Sequence, residues 1–388
     1  MATFPPPPAP PARRVPWGRI LGAAVGLLVV FVIVANHIEL NSYAIAPGTA
    51  QPVDPLVTVP PSKAHQTHGD ILLTDVSLSQ VTLLQWLPDK LSSDTQVVPA
   101  AEILGPATAS ADLATQGFLE MAQSKSAAKT LALRELGYPV SVRNVGAQLF
   151  AVAPGSPAHR AGLQVAQTIT AADGTPTPDE CSLIAVLHHL APGQSLHLLV
   201  EQSTVTDNAV VRSGAVRPVT VRVGRPLHDQ PPSGCPGVTG PSPVYLGVEV
   251  TTAQDFTYPF PIAIDTSNIG GPSAGLAMTL GVMDKLASGS LTGGLKVAAT
   301  GTVDTAGDVG DVGGVPQKTI AVERAGAKVF FVPVDEYGDA KSKSVPGLRI
   351  FPVTTLDQVL ADLRRLGGRV PPPAPAPPTG PGTTTTAP

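Results

Sequence analysis

Ser273 is the residue whose surroundings most directly suggest chemistry. It stands in Asn268-Ile269-Gly270-Gly271-Pro272-Ser273-Ala274-Gly275, between small residues and just before a helical apolar stripe of Leu276, Leu280, Met283 and Leu286. A serine hydroxyl is a weak nucleophile until a neighbouring base takes its proton. Gly271 to Gly275 satisfies G-x-S-x-G, the nucleophile elbow whose acid and histidine follow the serine along the chain. No histidine occurs after His228, so that triad has no base here. The elbow also needs a strand running straight into the serine, whereas Ile262-Ala263-Ile264 is followed by a polar loop. A lysine is the base left to consider.

A lysine amine can take a proton if burial brings its pKa from about 10.4 down to about 7–8, so a candidate must have apolar surroundings. Lys285 lies on the same helix as Ser273 but about 18 Å further along the axis. Lys296 and Lys328 open strands, and Lys341 and Lys343 lie in a polar loop. Lys318 follows Gly313-Gly314-Val315-Pro316-Gln317, in the first turn of a helix, among Val312, Val315, Ile320 and Val322. It is the best candidate on context. The plain alternatives are Ser273 as a helix cap and Lys318 as a solvated first-turn lysine. The helix after Ser273 would direct free N–H groups and a positive dipole end at a developing oxyanion. Pro272 cannot donate, which leaves the loop amides, Gly270 and Gly271 among them.

These motifs, in this order, resemble the proteolytic domain of Lon-type Ser-Lys peptidases. The resemblance rests on Gly270 to Gly275, Thr300-Gly301, Gly310 with Val312-Gly313-Gly314, Lys318, and Ala325-Gly326-Ala327 before an apolar strand. It implies Ser273 as nucleophile, Lys318 as general base, and Thr300 as a hydroxyl orienting the neutral amine. Two positions depart from the family pattern: Thr302 replaces an acidic residue, and Pro316 replaces a further lysine. No G-x-x-x-x-G-K-[ST] occurs in the sequence, so neither ATP nor any other cofactor is expected.

The elements that would position this pair are spread over 388 residues, enough for two or three domains. A second resemblance, to bacterial PDZ domains, rests on Gly155-Ser156-Pro157-Ala158, Ala161-Gly162-Leu163 and the Asp173-Gly174 turn before a helix. Where that family has Gly-Asp, this chain has Ala166-Gln167. A PDZ fold adds an extended peptide as a strand beside a helix. The likeness places the carboxylate-binding loop at Gly137-Tyr138-Pro139-Val140, making Gly137, Tyr138 and Val140 peptide-binding candidates, although Pro139 removes one donor.

Ahead of both units, Arg13, Arg14 and Arg19 precede the apolar run Ile20 to Ala35. Counted from Trp17, this run just reaches the roughly 18–20 residues that cross a bilayer core. The arginines predict a cytoplasmic N-terminus with the bulk of the chain exported. A cleaved signal peptide is the competing reading, but Ala44-Ile45-Ala46 lies well past the run and is followed by Pro47. Outside the cytoplasm Cys181 and Cys235 can form a disulfide; otherwise they are two free thiols. With a formal charge of −4 and no Lys/Arg block, nucleic acid is not an expected partner. His65 and His68 have no nearby third ligand, so no metal is expected.

The predicted fold class is therefore multi-domain α/β (α+β), with an N-terminal transmembrane helix, a PDZ-like domain and a Lon-type proteolytic domain. The predicted segments are a Pro-rich cytoplasmic tail (1–16), a transmembrane anchor (17–36) and an exported N-terminal region (37–136) that includes a Pro-rich tether. A PDZ-like domain (137–225), a linker (226–243), the proteolytic domain (244–369) and a disordered Pro/Thr tail (370–388) follow. The expected function is ATP-independent endoproteolysis of exported or unfolded proteins at the cell membrane, with a homo-oligomer implied by likeness. A non-catalytic peptide-binding scaffold with an inactive protease fold is the alternative.

Overall fold

The computed structural model describes residues 17–104, 112–206, 209–226 and 234–372, with side chains from Leu21 onward. The 1–16 tail and most of the Pro/Thr tail lie outside the described residues. The principal elements begin with helix α1 (Trp17–His37), strands β1 (Glu39–Pro52), β2 (Asp70–Thr82) and β3 (Gln96–Pro99), and helix α2 (Leu113–Glu135). Strands β4 (Ser141–Val152) and β5 (Thr168–Ala172), helix α3 (Glu180–His188), and strands β6 (Ser195–Val205), β7 (Val210–Arg222) and β8 (Val248–Thr257) follow. The chain continues with α4 (Gly275–Leu286), β9 (Lys296–Ala299), α5 (Val315–Arg324), β10 (Val329–Pro333), β11 (Arg349–Val353) and α6 (Leu356–Arg365).

The expected transmembrane helix is not supported. Helix α1 forms where the apolar run predicts it, but among the described residues no helix is long and apolar enough to cross a membrane. Its described apolar side chains start only at Leu21, and most of them, including Leu27, Phe31 and Ile33, are exposed.

The main sheet has the order β11-β10-β9-β2-β1-β3. Strands β2, β9, β10 and β11 run parallel, while β1 is antiparallel to both β2 and β3. Successive residues of each central strand enter opposite cores. Leu73, Ala299 and Phe331 face one with α2, α4 and α6, and Leu72, Ala298 and Phe330 face the other with α5. Burial on both faces is why these strands read as unbroken apolar runs rather than alternating ones.

Two features of this sheet differ from the sequence reading. The supposed tether from Tyr43 is strand β1, paired from Tyr43↔Gln80 to Pro52↔Leu72; the register shift between Pro47 and Ala50 accommodates the proline. Strand β2 pairs with β9 through Ile71↔Val297, so the region set apart as 37–136 supplies half of the sheet that carries the candidate site.

The second sheet, β8-β4-β5-β6-β7, encloses its own core of Leu149, Ile169, Leu183, Leu198 and Val221. Asp173 (φ 46°) and Gly174 (φ 78°) make the turn that their types predict. Ala166, in the place of the glycine, also takes a left-handed conformation, with φ 69°. Strand β8, expected to open the proteolytic unit, instead pairs along its whole length with β4. Cys181 and Cys235 are joined, tying α3 to the segment before β8.

Candidate active site

Ser273 sits in a turn at the N-terminal end of α4. The cap position is Ala274 and no side-chain cap bond forms, so the serine does not serve as a helix cap. The turn is shaped from outside. Gly271 has φ +85°, a conformation other residues avoid, and its N–H donates to the Gly117 carbonyl of α2 at 2.7 Å. A Cβ on Gly270 would lie 3.2 Å from the Gly117 carbonyl carbon, so loop and helix backbones meet where both residues are glycine. Ser124, also on α2, donates its hydroxyl to the Pro272 carbonyl at 3.0 Å. Helix α2 is thus the clamp on the Ser273 loop.

Thr300 lies at the end of β9 and is fully buried. Its hydroxyl donates to the Ser273 carbonyl at 3.2 Å and accepts from Lys318 Nζ at 3.2 Å. The Gly301 N–H also donates to the Ser273 carbonyl, at 3.0 Å. Lys318 is placed by α5, whose cap residue Gly314 (φ 68°) leaves no room for a Cβ against Val76. The lysine is only 2% exposed. Burial lowers its pKa to about 8, against the opposing pull of Glu336 and Asp75. A solvated first-turn lysine it is not. Among the described residues no hydrogen bond joins Ser273 Oγ directly to Lys318 Nζ; Thr300 connects the two segments. Unliganded sites commonly leave such contacts long, to tighten once substrate binds.

This arrangement fixes roles for the hydrogens. The Thr300 O–H is committed to the Ser273 carbonyl, so it cannot donate to the lysine. A neutral Lys318 amine can give one N–H to Thr300 and keep its lone pair for another proton.

The two glycines expected at an oxyanion site separate. Gly271 spends its N–H on Gly117 and is removed as a donor. The N–H groups of Gly270, Ser273 and Ala274 form no hydrogen bond among the described residues, and the last two adjoin the positive end of α4.

Gly137, Tyr138 and Val140 lie between α2 and β4, on the side of the main core. Gly137 (φ 78°) ends α2, with Tyr138 N–H bonded to the Leu133 carbonyl at 2.8 Å. The Tyr138 ring meets Phe260 edge-on at 5.2 Å, and Val140 packs against the main core.

Sequence reasoning missed Gly117, Ser124 and Glu336. Gly117 stands inside a helix, and nothing near it in the sequence points to its partner across the fold. Glu336 accepts the Val312 N–H at 2.9 Å, just ahead of Gly313-Gly314, while its other oxygen is buried without a partner. Burial raises its pKa to about 7.

Comparison with known proteins now adds to this geometry. The Lon protease (S16) C-terminal proteolytic domain matches residues 266–364. A Lon proteolytic domain is present. A PDZ domain matches residues 151–202. The chain is similar to the Lon protease of Vibrio parahaemolyticus, 32% identical over 93 residues, covering 23% of this chain and 12% of that protein. Lon protease 2 of Bacillus subtilis is 34% identical over 95 residues, covering 24% and 17% respectively. The chain therefore spans less than a fifth of the length of these relatives. The crystal structure of the PDZ domain of an SdrC-like protein from Listeria monocytogenes aligns at a TM-score of 0.20 and 12% identity, covering 27% of this chain and 87% of that one. The matched segment begins after β1, β2 and α2, so the helix that clamps the Ser273 loop lies outside it.

Proposed function

We propose that the chain is a serine endopeptidase that cleaves unfolded or exported proteins without ATP, through Ser273 and Lys318. Ser273 Oγ attacks the scissile carbonyl while the neutral Lys318 amine takes its proton. The resulting ammonium then gives that proton to the leaving amine as the acyl-enzyme forms. Water, deprotonated by the same amine, releases the acyl group and restores the serine. Thr300 holds the amine, and the N–H groups of Ser273 and Ala274 receive the oxyanion. The observation that carries this reading is a lysine buried beside an apolar core, hydrogen-bonded to the threonine that holds the Ser273 carbonyl.

Attachment to a membrane through the exposed apolar side of α1 belongs to the same proposal, with the bulk of the chain on the extracytoplasmic side. The Cys181–Cys235 disulfide favours that side. Failure of the full chain to float with phospholipid vesicles would remove the tether. A ring-like homo-oligomer follows from the Lon likeness alone. Recruitment of peptides by the PDZ domain needs an open edge on β4, which β8 covers, so substrate capture is assigned here to the proteolytic domain.

The test is labelling by a serine-reactive fluorophosphonate, mapped by mass spectrometry, alongside cleavage of an unfolded protein. The label is expected on Ser273, with cleavage lost by at least about 10³-fold in Ser273→Ala. Cleavage surviving in that variant would end the proposal.

A further inference from the structure

A PDZ groove takes an extended peptide antiparallel to one strand, with a helix on the other flank and the peptide's C-terminal end near the start of that strand. Strand β8 takes this position beside β4. It runs antiparallel to β4, with Thr257 opposite Ser141 at the start of β4 and Val248 opposite Val152 at its end. On the other flank α3 approaches, and the Glu180 N–H donates to Thr252 Oγ1 at 3.4 Å. Val248 and Val250 pack against the PDZ core, as alternate side chains of a bound peptide would. Where a free carboxylate would end, the chain runs on into Tyr258–Phe260, and Phe260 rests on Tyr138.

The approach to this strand is anchored as well. Ala158 N–H bonds to the Leu246 carbonyl at 3.0 Å, Ala153 N–H to the Gly247 carbonyl at 2.9 Å, and Val244 and Leu246 are buried. The disulfide from Cys235 holds the same approach to α3, the groove's helical wall. A segment tethered so closely has an effective concentration of millimolar order, which an incoming peptide must exceed before it gains a single bond.

We infer that β8 is the resident ligand of the PDZ groove. The PDZ domain clamps its own chain there instead of capturing substrate. The clamped strand leads through Ile262–Ile264 into the polar loop before Ser273, so its grip positions that loop; this last step rests on the proteolytic reading above.

The test locks the strand in place. Asn144 and Gln254 are exposed and face each other, with Gln254 Nε2 donating to Asn144 Oδ1 at 3.1 Å, and among the described residues there is no free cysteine to interfere. The oxidised Asn144→Cys/Gln254→Cys chain is compared with wild type in two assays. In the first, a fluorescein-labelled peptide of sequence Val248–Thr257 with a free C-terminus is titrated by anisotropy. Neither protein is expected to show saturable binding below about 1 mM. In the second, the locked chain should form its crosslink in essentially all molecules and cleave an unfolded protein as wild type does. Tight peptide binding by wild type that the lock abolishes would overturn the inference, as would a loss of about tenfold or more in unfolded-protein cleavage with short-peptide cleavage kept. If wild type cleaves nothing, the proteolytic reading fails, yet the binding assay and the crosslink yield still decide the question of the groove.

Discussion

The two loops that bring Ser273 and Lys318 together are held by different means. The 270–273 loop is gripped by uncharged contacts to a distant helix, a close approach of glycine to glycine and the Ser124 hydroxyl on the Pro272 carbonyl. The 311–314 loop is gripped by one carboxylate, Glu336, which is itself close enough to feel the lysine's charge. The first device fixes position without altering any proton equilibrium. The second couples position to charge. Damage to the first should therefore appear as misplacement at every pH, and damage to the second as a displaced pH profile.

The largest effects come from the lysine itself. Lys318→Ala and Lys318→Arg should each lower kcat/KM by at least about 10³-fold, the arginine because a guanidinium does not deprotonate to serve as a base. Lys318→Met should be as inactive yet more stable at pH 7. The amine's pKa falls from 10.5 to about 8 on folding, so the unfolded chain binds more protons between those values and stability rises with pH there. Below about pH 8 the charged, buried amine costs of the order of 3 kcal/mol that methionine does not. Denaturant melts at pH 7 measure this, and a destabilised Lys318→Met would contradict the burial argument.

Next in size is the glycine contact. Gly270→Ala forces a Cβ to 3.2 Å from the Gly117 backbone. It should lower kcat by about tenfold at all pH values, since small misplacements of a reacting group are costly. Gly117→Ala is the control, because its Cβ would stand in ordinary contact, 3.6 Å from Gly271 N. Equal damage from both would mean that helix integrity, and not the close approach, is what matters.

The smallest effect separates the two loops. In wild type kcat/KM should rise with pH and level off above about 8, as Lys318 loses its proton. Glu336→Gln keeps an acceptor for Val312 but removes a negative charge that raises the lysine's pKa, so the rising limb should move to lower pH by up to about one unit. The same substitution should flatten a stability term. Glu336 has its pKa raised from 4.5 to about 7 on folding, so the wild type loses stability as pH rises through that window. An unchanged kinetic limb would show that Glu336 holds the loop and nothing more.

The sequence revealed the chemistry better than the architecture. Ser273, Thr300 and Lys318 lie within one continuous stretch, where each stands beside glycines and apolar residues that mark its turn or helix. The setting of Lys318 was legible because Val315 and Val322, three residues before and four after it on the same helix, are buried as it is. What escaped was everything that reaches the site from far along the chain. Strand β1 looked like a tether because Pro47 and Pro52 obscure its pattern, and only pairing with β2 makes it a strand. Gly117 has no local reason to matter. Strand β8 follows a Pro/Gly-rich linker and so reads as the start of the proteolytic unit, and only its register against β4 shows otherwise.

The interleaving of the two sheets also sets an order of events. Strands β1 to β3 and helix α2 are made first, but β2 cannot meet β9 until the whole PDZ unit has emerged from the ribosome. The hairpin of β6 and β7 closes between near neighbours in the chain, whereas the main sheet waits for partners beyond an inserted domain. The nascent chain thus holds an apolar strand, Ile71 to Leu73, paired with β1 on one edge and open on the other throughout synthesis of the insertion. Its proteolytic half is the last part of the chain to become a folded object.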